Sequence, residues 1–170
     1  METDVKLCRN WYAVYTAPRA EKKVRERFQQ NAIEHYLPVQ MVTRKWHDRL
    51  KKIEQPVING YIFVYITPDE MKKVLMTYGA IAFVRDQGHP AIIPEKQINE
   101  LRRMVDWASE EVEFSATEMV PGQPVRIVRG ELAGLTAELV EVKGKFKVMV
   151  RLQGLGCALT TVATSCLEKL

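Results

Sequence analysis

The 170-residue sequence is poor in the residues that carry metal and redox chemistry. It holds three cysteines, Cys8, Cys157 and Cys166, an odd number without CxxC spacing, which argues against a disulfide framework and against a structural zinc site. Its three histidines, His35, His47 and His89, are scattered, with no HxxxH pair and no Cys/His cluster. No G-x-S-x-G elbow, phosphate-binding loop or Rossmann glycine pattern occurs. No apolar run reaches membrane-spanning length, and METDVKLCRN lacks a signal-peptide core. The expectation is a reduced, cytoplasmic, soluble protein that is not an enzyme, with no catalytic residues, no metal, no cofactor and no membrane partner.

What is present suffices for a folded chain. Apolar residues make up 46% and charged residues 27%, ordinary for a globular protein of one domain or two small ones. The formal net charge of +4 is unevenly spread. From Met1 to Ile53 twelve Lys/Arg face six Asp/Glu, a balance of +6, while the remaining thirteen against fifteen give −2. Contacts with a polyanion are therefore expected in the first third.

Trp11 to Tyr15, aromatic and β-branched, reads as a strand. Thr16 is placed to cap, and Pro18 to open, a helix carrying Val24 and Phe28 on one side and Arg19, Lys22, Lys23, Arg25 and Arg27 on the rest. Tyr36 to Val42 reads as a strand, and the charged stretch Thr43 to Glu54 as a protruding hairpin or long loop. Tyr61 to Ile66, uniformly apolar, suggests a central strand covered on both faces. Pro68-Asp69-Glu70 opens a second helix that ends before Gly79. Short strands at Ile81 to Val84 and Ala91 to Ile93 flank a turn, and a third helix starting at Pro94 carries Ile98, Leu101 and Val105. This order predicts an α+β, ferredoxin-like layer over residues 1–106.

Residues 107–120, rich in Glu110, Glu111, Glu113 and Glu118 and closed by Pro121-Gly122, read as a flexible linker. Over residues 121–170 the pattern changes to five short strands separated by glycines, which predicts a small SH3-like β-barrel. Five glycines between Gly122 and Gly154 disfavour long helices there.

Four segments, in order, resemble the NusG family of transcription elongation and antitermination factors. They are Trp11-Tyr12-Ala13-Val14-Tyr15 with Glu21-Lys22-Lys23-Val24; Pro56-Val57-Ile58-Asn59-Gly60-Tyr61-Ile62-Phe63-Val64; Phe83-Val84-Arg85 through Pro90-Ala91-Ile92-Ile93-Pro94; and Gly122-Gln123-Pro124-Val125-Arg126-Ile127 with Gly130 to Leu135. The resemblance implies an N-terminal NGN domain and a C-terminal KOW domain. Asn59, the Ala-Ile-Ile-Pro ending of the turn and the basic stretch are similar to the specialised RfaH-like paralogues, including those serving capsular polysaccharide operons in Bacteroides. Ala137 stands where the KOW motif has glycine, and Ala17 and Pro18 stand where RfaH is basic.

The resemblance implies that the NGN domain docks on RNA polymerase. Tyr61, Phe63 and Tyr65 share one face of their strand, and Tyr15, Ile58 and Phe83 would flank the apolar patch that receives the polymerase; Lys72 and Lys73 would meet its opposite jaw. Arg19, Lys22, Lys23 and Arg25 would touch non-template or upstream DNA in the elongation complex, as would Arg44 and Lys45 of the basic stretch beside Trp46. For each group the alternative is structural: aromatic residues that are simply core, and cations on a solvated face. The KOW domain implies a further partner, a small-subunit ribosomal protein or Rho, for a monomeric protein. A ribosome-associated RNA-binding protein with a KOW-type barrel is the alternative function.

Overall fold

The computed structural model describes residues 8–117 and 119–170, so Met1–Leu7 and the Glu118 of the expected linker lie outside the described residues. The chain forms two compact units, Met1–Pro38 with Ile58–Ile98, and Val39–Val57 with Asn99–Leu170.

The first unit is built on one sheet. Its strands are β1 (Asn10–Thr16), β2 (His35–Tyr36), β5 (Tyr61–Ile66) and β6 (Ala80–Phe83), in the order β2-β5-β1-β6, with β9 (Ile92–Ile93) also on β1. β5 enters antiparallel between β1 and β2, the split arrangement expected of a ferredoxin-like layer. Helix α1 (Glu21–Gln30) crosses from β1 to β2. Its Val24 and Phe28 are buried, and the Phe28 ring lies 6.0 Å from that of His35, the register partner of Val64. α1 thus covers the face carrying Tyr12, Val14, Ile62 and Val64.

The start of α1 differs from the sequence expectation. Thr16 stays in β1, its hydroxyl buried without a partner, and Pro18 sits in a turn. Arg19 at φ +60° breaks the right-handed run, so the helix begins at Glu21 with Ala20 at the cap position. The second helix is also shorter than expected. A 3₁₀ turn, Pro68–Glu70, with a Thr67/Glu70 capping box leads into the five-residue α2 (Met71–Leu75). At the turn of β7 (Arg85–Asp86) and β8 (His89–Pro90), Gln87 and Gly88 both take positive φ, as a tight hairpin requires. α3 (Glu95–Trp107) buries Ile98, Leu101 and Met104.

The expected strand at 36–42 is broken at Leu37-Pro38, because proline offers no N–H to a ladder. The chain continues as a two-stranded ribbon, β3 (Val39–Trp46) against β4 (Arg49–Pro56), closed by His47-Asp48. The stretch expected as hairpin or loop is a hairpin. It belongs to the second unit, where Gln40 exchanges hydrogen bonds of 2.8 and 2.9 Å with the backbone carbonyl and N–H of Val112.

The remaining second unit is a six-stranded antiparallel sheet in the order β10-β14-β13-β12-β11-β15: β10 (Glu113–Ser115), β11 (Gln123–Ile127), β12 (Thr136–Val142), β13 (Lys145–Leu152), β14 (Gly156–Thr160) and β15 (Leu167–Lys169). The five strands read from the sequence are present. Two expectations change. The segment taken as linker supplies β10, which pairs with β14 through Glu113, Phe114 and Ser115. The sheet is not closed into a barrel among the described residues: the three-residue β10 and β15 are its two ends and no ladder joins them. On β13, Val148, Met149 and Val150 are consecutively buried, so this central strand is covered on both faces.

Candidate docking face and its basic surroundings

Strand register brings together residues far apart in sequence. In β1 and β5 the pairs Trp11–Tyr65, Ala13–Phe63 and Tyr15–Tyr61 are directly opposite, and Tyr36 of β2 is opposite Phe63. Because side chains alternate along a strand, these residues share the sheet face away from α1. The rings pair accordingly: Trp11–Tyr65 at 5.1 Å, Tyr15–Tyr61 at 4.9 Å and Tyr36–Phe63 at 6.2 Å between centroids. The face therefore carries six aromatic side chains.

Its two ends are unlike. Phe63 is 0% exposed and Trp11 is buried beside a half-buried Tyr65, whereas Tyr15 is 39% exposed beside a half-buried Tyr61. Burial first, then the neighbouring Tyr15, pushes the Tyr61 hydroxyl above its usual pKa. Tyr61 is held in place from behind: Asn59-Gly60 leads into it, the Gly60 N–H donates to Glu21 Oε1 at 2.8 Å, and the Gly60 carbonyl accepts the Thr16 N–H at 2.9 Å. Glu21 is itself buried at the positive end of α1, where a carboxylate is favoured.

Of the expected docking residues, the structure joins Tyr15 and Tyr61 at the exposed end of one face, with Phe63 behind them. Phe83 does not flank this patch. It is opposite Val14 and packs edge-on against Tyr12 at 5.8 Å, on the face toward α1. The register that sets Phe83 opposite Val14, not opposite Tyr15, is what a linear reading misses. Ile58 is buried in the approach to β5, so it too is core. Lys72 and Lys73 are exposed on α2.

Of the expected nucleic-acid residues, Arg19 and Lys23 border a groove of about 520 Å³ between the β1–α1 turn and β6, whereas Lys22 and Arg25 are half-buried outside its lining. Two of its members were not among the sequence candidates. Arg27 donates to the Tyr78 carbonyl at 2.8 Å and its guanidinium stacks 5.0 Å from the Tyr78 ring, which is 81% exposed. Among the described residues no acid lines the groove. The available signal was the apolar run Leu75, Met76, Tyr78, all three of which the structure leaves exposed. Arg44 and Lys45 lie on opposite faces of the β3–β4 ribbon. Arg44 bonds Gln55 at 3.2 Å and approaches Glu111 at 3.5 Å.

Among the described residues no three His, Cys, Asp or Glu side chains converge as a metal site, and no helix is long and apolar enough to cross a membrane.

A family model described as transcription termination factor nusG matches residues 9–102, more than half of the chain and the span from β1 into α3. No curated protein matches the sequence. Among solved structures, one of Thermotoga maritima NusG, described by its domain interaction, is similar over 97% of this chain and 99% of that one, with a TM-score of 0.56 at 18% identity, a likeness of fold. Two conformations of an MjSpt4:Spt5 complex align over 94% of this chain at 15% and 16% identity, with TM-scores of only 0.29 and 0.31. With the family's span covering the aromatic sheet and the basic groove, this chain belongs to the NusG family of transcription factors.

Proposed function

We propose that this protein is a non-enzymatic transcription elongation and antitermination factor, of the RfaH-like specialised kind, that docks on RNA polymerase through the Tyr15–Tyr61 end of its aromatic sheet face. The observation that carries the proposal is that pair: two half-exposed phenol rings, 4.9 Å apart, continuous with a buried aromatic row that fixes their position. Tyrosines so held lose little conformational freedom on binding and are typical interface anchors. The groove of Arg19, Lys23, Arg27 and Tyr78 offers cations and one ring to DNA of the elongation complex. The second unit, a β-sheet module, recruits a further partner, a small-subunit ribosomal protein or Rho. The protein works as a cytoplasmic monomer. A ribosome-associated RNA-binding protein would not need the region of residues 9–102 that the family model matches.

Association of the full chain with RNA polymerase, by copurification and by titration against the core enzyme, tests the proposal. Tyr15→Ala combined with Tyr61→Ala is expected to weaken binding by roughly tenfold or more with the fold retained in a thermal melt. Undiminished binding by a folded double variant, or no association of the wild type at low salt, overturns it.

A further inference from the structure

The tip of the β3–β4 ribbon concentrates positive charge, of which Arg44 is turned to Gln55 and Glu111 of its own unit. Thr43 to Lys52 holds Arg44, Lys45, Arg49, Lys51 and Lys52 against the single acid Asp48, a balance of +4 in ten residues that equals the formal charge of the whole chain. All ten residues are exposed. Arg44 lies directly opposite Lys51, an arrangement of like charges that destabilises a ladder. Strand alternation gathers Arg44, Trp46, Arg49 and Lys51 on one face of the tip, with Lys45, Leu50 and Lys52 on the other. Trp46 stands at the end of that first face, 54% exposed, with the Lys51 ammonium 5.9 Å from its ring centroid and the edge of His47 at 5.6 Å. The base of the ribbon, by contrast, is fastened through Val42, which is buried, and the double hydrogen bond of Gln40.

We infer that this tip is a binding prong for single-stranded nucleic acid, with one base stacked on Trp46 and adjacent phosphates held by Arg49, Lys51 and Arg44. The charge complements a polyanion, and self-repulsion across the ladder is relieved when phosphates enter. A lone exposed tryptophan among cations supplies the sequence-tolerant stacking plane that a single strand requires and a closed duplex cannot use. Arg49 and Lys51 repeat on one face about 6.7 Å apart along the strand, two residue rises, a stride suited to successive phosphates of an extended strand. An exposed cation–ring contact such as Lys51 on Trp46 is weak, so the ammonium is free to turn to a phosphate as a base takes the ring. The inference deepens the nucleic-acid side of the proposed function but needs no polymerase, so the two fail separately.

The test is fluorescence anisotropy of the full-length protein with short labelled oligothymidylate, oligouridylate and a duplex of matched length, across a salt series. Single strands are expected to bind more tightly than duplex. Trp46→Ala should weaken single-strand binding by roughly tenfold, within the range seen for loss of one stacked base, while Trp46→Phe keeps most of it. Arg49→Gln with Lys51→Gln should lower the slope of log K against log salt by about 1.4, two single-strand phosphate contacts. Preference for uridylate over thymidylate, or the reverse, identifies RNA or DNA as the occupant and supports the inference either way. Equal binding of duplex with no effect of Trp46→Ala, or no oligonucleotide binding at low salt, overturns it.

Discussion

Single atoms decide how the aromatic face is presented. The Glu21 carboxylate is buried with one oxygen on the Gly60 N–H, and that amide immediately precedes Tyr61. Removing the acceptor leaves a partly buried donor unpaired, which costs up to about 1–3 kcal/mol. Glu21→Ala is therefore expected to lower unfolding stability by that amount in a urea titration, with Glu21→Gln, which keeps an acceptor oxygen, losing distinctly less. Equal loss in the two variants would mean that charge at the helix terminus, not the Gly60 bond, is what matters. Glu21 lies three and seven residues before Val24 and Phe28 and shares their buried helix face. That its carboxylate meets the Gly60 N–H could not be read from the pattern, because Gly60 belongs to a distant turn.

Among the elements, α1 and the α2–β6 connection meet through one glycine. Gly79 has φ +96°, and a Cβ built there would stand 2.8 Å from Val24 Cγ2 of α1; its carbonyl accepts the Ala17 N–H at 2.8 Å. Both the left-handed backbone and the close approach exclude a side chain. Gly79→Ala should cost about 1–2 kcal/mol from the backbone term alone, seen as a lower denaturation midpoint with an unchanged slope; a stability equal to wild type would show that the turn relaxes without penalty. The sequence marked Gly79 as the stop after a helix. The structure makes it the floor of the basic groove, because the turn must let Tyr78 lie outward under Arg27 while the chain reverses into β6. The β3–β4 ribbon shows another case: charge density left a hairpin or a long loop open, and both the ladder and which cations share a face with Trp46 required the register fixed by the His47-Asp48 turn.

For the molecule as a whole, the two units differ in what they leave open. In the second, Cys157 is buried in a cluster with Val140, Met149 and Leu159, and burial pushes its thiol above the ordinary range, offset in part by Arg151. Cys8 is exposed. A thiol reagent at neutral pH should modify Cys8 rapidly and Cys157 only as the second sheet opens, a contrast that site-resolved mass spectrometry would follow over time. Rapid native labelling of Cys157 would mean that the cluster breathes far more readily than its burial implies. The same measurement in rising urea reports the opening of the second sheet without reference to any partner.

Composition, alternation and turn residues by themselves determined the α+β first region, the run of short strands after residue 121 and the aromatic strand Tyr61–Ile66, and narrowed the basic stretch Thr43 to Glu54 to a hairpin or long loop, because those features depend on local periodicity and backbone preference. Only the tertiary structure decided that Tyr15 and Tyr61 form one exposed pair while Phe63 and Ile58 are core, that Phe83 turns to the opposite face, that Arg27 and Tyr78 join Arg19 and Lys23 around a groove, and that residues 113–115 pair with β14 instead of serving as linker. Each of these depends on which strands neighbour one another and in what register. A one-residue shift in register moves a side chain through the sheet, and no local pattern records it.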